Sequence, residues 1–242
     1  RKEREEPEDP MKYELSSELQ QMRDAVRKFV KAELEPLEKT IDATGELPPH
    51  ILPLLGKHGY LAMRLPVEVG GAGMGLFPYC IALEEFSRSH RVFGLLASGG
   101  GGLTPIAIAR HGTPEQRNKY LTGLMDGSKR TAFALTEPAG GSDNSAMTTQ
   151  ATKVDGGWVI NGRKHYINGA HDADFITLIA ITDPVKRTRG GVTAFLVEGH
   201  ISEALWRRRM EKRIHKLSNH YIICGIGRVG KGAKFVSDGI EC

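Results

Sequence analysis

The stretch Phe133-Ala134-Leu135-Thr136-Glu137-Pro138-Ala139-Gly140-Gly141-Ser142-Asp143 decides how the rest of the chain is read. It opens with an alternating apolar run, as a half-buried strand does. Pro138 ends the ladder because it has no N–H to donate. Gly140 and Gly141 allow positive φ and let a ligand approach bare backbone. Ser142 adds a hydroxyl, and successive loop N–H groups can form an anion-binding nest. From the residues alone, this is either a strand end that holds a phosphate-bearing or carbonyl-rich ligand or a tight surface turn.

The periodicity of the chain changes at this stretch. On its N-terminal side the period is helical. Ser17-x-x-Gln20 reads as a capping box, and Leu15, Leu19, Met22, Val26, Phe29 and Val30 form one stripe of a helix expected to run to about Glu35, before Pro36. A short helix is expected over 50–57, stopped near Gly59. Gly70, Gly71, Gly73 and Gly75 make a flexible loop. Pro78 sits in the first turn of a helix that carries Ile81, Ala82, Glu85 and Phe86 on one side. Glu84 and Glu85 are adjacent, so they point about 100° apart and cannot act as a paired-carboxylate unit; a solvated or capping role is expected for both. The four glycines at 99–102 lack the Lys-Ser/Thr of a P-loop. Thr113-Pro114-Glu115-Gln116 is a second capping box, followed by an apolar face of Tyr120, Leu121, Leu124 and Met125, with Gly127 as C-cap.

C-terminal of it the period is two. Residues 131–136, 148–154, 158–161, 163–168, 175–181 and 192–197 read as strands, with Gly156-Gly157 in one turn and Asn161-Gly162 as a two-residue hairpin signal. The expected fold is α+β: a charged tail (1–12), an all-helical domain (13–128) and an antiparallel β meander (129–199).

Composition narrows the functional classes. The chain has 242 residues, 40% hydrophobic and 26% charged, with a net charge of +4, which fits an ordinary globular protein with one good core or two small ones. There is no aromatic-interleaved basic surface of the kind nucleic-acid binding needs. Cys80, Cys224 and Cys242 are too few and too far apart for a disulfide framework or a zinc site, which favours a reducing compartment. His50 and His58 are wrongly spaced for a metal pair. No apolar run approaches about 18 residues, so no membrane span is expected. The first residues are dense in both charge signs, unlike a signal or transit peptide.

Three blocks, in order, carry a family resemblance. They are Leu65-Pro66-Val67-Glu68-Val69-Gly70-Gly71-Ala72-Gly73, the Phe133-to-Asp143 stretch, and Trp158-Val159-Ile160-Asn161-Gly162-Arg163-Lys164-His165-Tyr166-Ile167-Asn168-Gly169. Together they resemble the acyl-CoA dehydrogenase family over about residues 11–198. Within them Ala139 and Gly140 stand in the reverse of the family's order, Tyr166 replaces the commoner Trp, and Asn168 stands where Thr or Ser is usual.

The resemblance implies FAD and α,β-dehydrogenation of an acyl-CoA thioester. Phe133, Leu135 and Thr136 match positions that meet the flavin ring. Gly141 and Ser142 match positions beside the pyrophosphate and the substrate's pantetheine arm. Tyr166, Ile167 and Asn168 match positions at the flavin's other edge. The family's catalytic base is a glutamate of a helical third domain, which has no counterpart in the likeness, so a truncated form without turnover is expected and no catalytic residue is assigned. An electron-transfer flavoprotein as partner, a homo-oligomer, and a cytoplasmic or mitochondrial-matrix location are also implied. The competing reading is a non-catalytic flavin-binding or structural fragment.

Beyond Glu198 the character changes again. A basic helix-like run at 206–216 precedes His220-Tyr221-Ile222-Ile223-Cys224-Gly225-Ile226-Gly227-Arg228-Val229-Gly230, an apolar strand running into G-x-G-x-x-G. Within the segment 200–242, residues of about 200–230 thus resemble the start of a potassium channel's nucleotide-sensing Rossmann domain. The acidic residue expected about 20 positions beyond the motif is missing, so a working nucleotide site is not expected there.

Overall fold

The amphipathic stripe of residues 17–29 forms a helix because one face can be buried while its polar residues stay in water. In the computed structural model, which describes residues 14–198 apart from 101 and 171, this is α1 (Ser17–Phe29), with Val26 and Phe29 buried. Its cap is Ser16 rather than the expected Ser17: the Ser16 hydroxyl accepts from the Leu19 N–H at 3.4 Å. Gln20 is engaged elsewhere, donating to Asp24 and accepting from Arg23. The helical path also continues past Pro36, through a π turn (Val30–Leu34) and a 3₁₀ turn (Glu35–Leu37) into α2 (Glu38–Thr44). Pro36 lies at the start of the 3₁₀ turn, where a missing N–H leaves nothing unsatisfied. The Rossmann-like tail at 200–242 lies outside the described residues.

The chain packs as two compact units, divided between residues 101 and 102. The first continues with α3 (Ile51–Lys57), α4 (Leu76–Arg88) and α5 (Arg91–Gly100). Its core gathers Val26, Phe29, Val30, Phe86 and Phe93. The glycine-rich loop before α4 is not the flexible linker expected. Ala72, Gly73 and Met74 donate their N–H groups to Ala62, Leu65 and Met63 at 2.9 to 3.0 Å, which ties the loop down. Glu85 is also not the solvated carboxylate expected. Its side chain is 1% exposed, and both oxygens accept from the Arg27 guanidinium at 2.8 Å. That fork-to-fork contact, against the cost of burial, holds its pKa below the ordinary value. Glu84 is solvated, as expected, and pairs loosely with Arg88.

The second unit begins with helices. These are α6 (Leu103–His111), α7 (Pro114–Gln116), a π turn (Arg117–Leu121) and α8 (Thr122–Met125). The capping box at Thr113 forms as expected, with both reciprocal bonds present. These helices pack on the sheet: the Thr104 hydroxyl donates to that of Thr177 at 2.9 Å, and the Tyr120 ring lies 4.6 Å from that of Phe175. By length and composition, the stretch 91–111 is long and apolar enough to cross a bilayer, with a mean hydropathy of 1.5. Phe93 and Ala97 in α5 and Thr104 and Ile108 in α6 are buried.

The strands are β1 (Thr131–Ala134), β2 (Gln150–Val154), β3 (Gly157–Asn161), β4 (Phe175–Ile181) and β5 (Val192–Glu198). The fold is α+β, but the sheet is mixed rather than the antiparallel meander expected. β1 and β4 run parallel, from Thr131 opposite Phe175 to Ala134 opposite Leu178. β2 joins β4 further along, at Gln150 opposite Ile181. β2–β3 and β4–β5 are antiparallel. β4 has the near-continuous apolar pattern of a strand buried on both faces. Residues 163–168 form no strand, and Asn161-Gly162 makes no hairpin. The β2–β3 turn is Asp155-Gly156, with Gly157 already in β3.

Removing the Glu85 carboxylate strands a half-buried guanidinium. Glu85→Ala is expected to cost about 1.5–3 kcal/mol in urea denaturation, whereas Glu84→Ala changes stability by less than about 0.5 kcal/mol. Equal effects would show that the Arg27 contact contributes nothing.

Candidate functional site

β1 leaves the sheet after Ala134, and the chain rejoins the same edge of β4 only at Thr149, whose carbonyl accepts from the Ile181 N–H at 2.8 Å. The excursion between them carries the stretch quoted first. Glu137 and Gly140 bond each other's backbones in both directions, at 3.0 and 3.1 Å, closing a turn with Pro138 and Ala139 at its tip. Neither Gly140 nor Gly141 has the positive φ expected of them. Gly140 is needed for space: a Cβ there would stand 2.4 Å from the Asp143 carbonyl oxygen. At Gly141 the nearest atom would be at an ordinary 3.6 Å. Asp143 then accepts from the Ser145 N–H at 2.8 Å and starts a short 3₁₀ turn (Asn144–Ala146).

Glu137 anchors this excursion. Its side chain is 1% exposed and accepts four hydrogen bonds, which fill its acceptor sites. One oxygen takes the Thr148 N–H and hydroxyl, each at 2.6 Å; the other takes the Thr149 N–H at 3.0 Å and Lys164 Nζ at 2.8 Å. Lys164, 2% exposed, also donates to the Leu135 carbonyl at 3.0 Å. Burial raises the Glu137 pKa, but the bonds from Lys164, Thr148 and Thr149 outweigh it and bring it to about 2. Burial pushes the Lys164 pKa down, and the adjacent carboxylate pushes back.

The second segment is drawn in by Lys164. Gly162 is glycine because it lies on Thr149, where a Cβ would come within 2.5 Å of the Thr149 Cα. The His165 N–H donates to the Thr136 carbonyl at 2.9 Å. Tyr166 has φ 55, in the left-handed region, and the residue is 75% exposed. Ile167 turns back into the sheet core beside Ala132, Ala134 and Ile176. The left-handed residue costs about 1–2 kcal/mol. Burial of Ile167, worth about 1.5–3 kcal/mol, offsets it.

The structure therefore places the expected residues in two groups that share one region of the second unit. Phe133, Leu135 and Thr136 are half-buried at the end of β1, and Gly141 and Ser142 are exposed beyond the turn. Tyr166 and Asn168 are exposed on the facing segment; Ile167 points inward. Among the described residues, the hydroxyls of Thr136, Ser142 and Tyr166 and the Asn168 amide have no hydrogen-bond partner. The sequence reading missed Glu137, Lys164 and His165. The available signal was a charged residue inside each of two otherwise apolar or alternating blocks.

Residues 16–128 match the family model described as the acyl-CoA dehydrogenase N-terminal domain, and residues 132–219 the one described as the acyl-CoA dehydrogenase middle domain. The first match runs past residue 101 and takes in α6 to α8, which belong to the second compact unit. The chain is similar to the 3-(aryl)acrylate reductase of Clostridium sporogenes, with 38% identity over 73% of this chain and 47% of the relative. It is 36% identical to the short-chain specific acyl-CoA dehydrogenase of Clostridium acetobutylicum over 78% of this chain and 49% of that one. The solved glutaryl-CoA dehydrogenase of Mycobacterium smegmatis in complex with FADH2 superposes with a TM-score of 0.69 at 32% identity, covering 76% of this chain and 46% of that one. The chain spans about half the length of the curated relatives it matches.

The Glu137 pKa lies below its ordinary 4.5, so its stabilisation is complete above that value and is lost as pH falls from 4.5 towards 2. Between pH 6 and 2 the protein is expected to lose about 3 kcal/mol from this group. Urea midpoints measured against pH should show this loss in the parent and lack it in Glu137→Gln. The same acid slope in both would assign the loss to other carboxylates.

Proposed function

The chain belongs to the acyl-CoA dehydrogenase family, and on that premise we propose that it binds FAD and serves the α,β-dehydrogenation of an acyl-CoA thioester. The observation that carries the reading is the joining of the β1 end to the 164–168 segment through Glu137 and Lys164. The local chemistry fits a flavin: a flat exposed aromatic, a glycine-lined turn, and uncommitted hydroxyl and amide groups stand in one region. The FADH2 of the Mycobacterium smegmatis enzyme supports the choice of cofactor.

Phe133, Leu135 and Thr136 meet the flavin ring, Thr136 through its hydroxyl. Gly141 and Ser142 border the pyrophosphate, and Ser142 also the pantetheine arm of the substrate. Tyr166 offers its ring to the flavin's other edge and Asn168 its amide, while Ile167 contributes only backbone because its side chain is buried. When bound, FAD supplies the electron-accepting chemistry; these residues bind and orient it.

No base is assigned among residues 14–198. Glu137 is a poor proton acceptor with a pKa of about 2 and four donors already bound. Glu85 is locked to Arg27. An electron-transfer flavoprotein as electron acceptor, a homo-oligomer, and a cytoplasmic or mitochondrial-matrix location complete the proposal and rest on family membership alone.

Incubation of the 242-residue chain with FAD, followed by gel filtration and a visible spectrum, tests binding. A flavin band co-eluting with the protein is expected; a colourless protein would contradict the proposal. With a panel of acyl-CoA thioesters and an artificial electron acceptor, the chain by itself is expected to show no turnover. Measurable turnover would place a working base among its own residues.

A further inference from the structure

In an extended chain, neighbouring side chains point to opposite sides. His165 and Tyr166 do not: their ring centroids are 3.7 Å apart, with planes inclined by 20°. The left-handed backbone at Tyr166, φ 55, departs from the extended geometry that would separate them. Both flanks are fixed, by the buried Lys164 on one side and the buried Ile167 on the other. The His165 N–H is itself tied to the Thr136 carbonyl. One face of the Tyr166 ring is thus covered by an imidazole, while the residue as a whole is still exposed. A fixed ring loses less freedom on stacking against a ligand than a mobile one.

We propose that His165 is a positioning residue for the flavin: its imidazole backs Tyr166 and holds the outer face of that ring as a platform on which the flat cofactor rests. This rests on the FAD reading above. The imidazole acts through Tyr166 and needs no contact with the flavin. A ring of similar size is enough for the role, which separates it from a role in proton transfer.

The test is FAD titration of the parent chain, His165→Ala, His165→Phe, Tyr166→Leu and the His165→Ala/Tyr166→Leu double variant, followed by flavin fluorescence and binding affinity, with thermal midpoints recorded alongside. His165→Ala is expected to weaken FAD binding by about tenfold, the scale of one aromatic contact, and to reduce the quenching of flavin fluorescence, with little change in thermal midpoint. His165→Phe should restore both. In the Tyr166→Leu background, loss of His165 should have no further effect. Parent-like affinity and quenching in His165→Ala, or an equal effect of His165→Ala with and without Tyr166, would overturn this inference and leave the FAD reading intact. Failure of the parent chain to bind FAD would overturn both.

Discussion

Every feature of the candidate site hangs on one buried ion pair. Glu137 and Lys164 are almost wholly removed from water, a placement that would be prohibitive for either charge alone. It is sustained because four donors converge on the carboxylate and because Lys164 also bonds the Leu135 carbonyl. Breaking such a pair typically costs about 3–5 kcal/mol, since the surviving charge stays buried. The pair fixes three chain segments at once: the end of β1, the return at Thr148 and Thr149, and the segment that carries Tyr166.

The sheet explains why this clamp is needed. One edge of β4 is paired in series, first by β1 and then by β2. Between them the chain departs at Leu135 and comes back at Thr149, so this stretch has no ladder to hold it. Segment 162–168 has no ladder either; a single backbone bond, from His165 to Thr136, links it to the excursion. Side chains therefore do the work that strand pairing does elsewhere. The uncommitted polar groups and the exposed aromatic ring carry none of this structural duty, which falls on Glu137, Lys164 and Ile167.

Much of this was legible in the sequence. The switch from helical to two-residue period separates helices from sheet. β1 stops at Ala134, short of Pro138, which sits instead at the tip of the Glu137–Gly140 turn; the Thr113 capping box forms as read. The misses have local causes. Residues 163–168 alternate like a strand, but Lys164 is drawn inward by an ion pair that no periodicity reveals. Asn161-Gly162 has the composition of a hairpin turn, yet Gly162 is there to lie on Thr149, a contact made across the fold. The mixed sheet escaped because β1 and β4 pair in parallel across forty intervening residues. Gly140 was read for its conformational freedom and proves to matter for its lack of a side chain. Glu85 was read as solvated because its partner is fifty-eight residues away.

The most direct test of the central claim is the change in thermal midpoint on adding FAD, measured for the parent chain and for Lys164→Met. If the ion pair assembles the cofactor-facing segments, FAD raises the midpoint of the parent by several degrees and leaves the variant, already less stable, almost unmoved. An equal rise in both would show that FAD binding is independent of the Glu137–Lys164 pair and would contradict the claim.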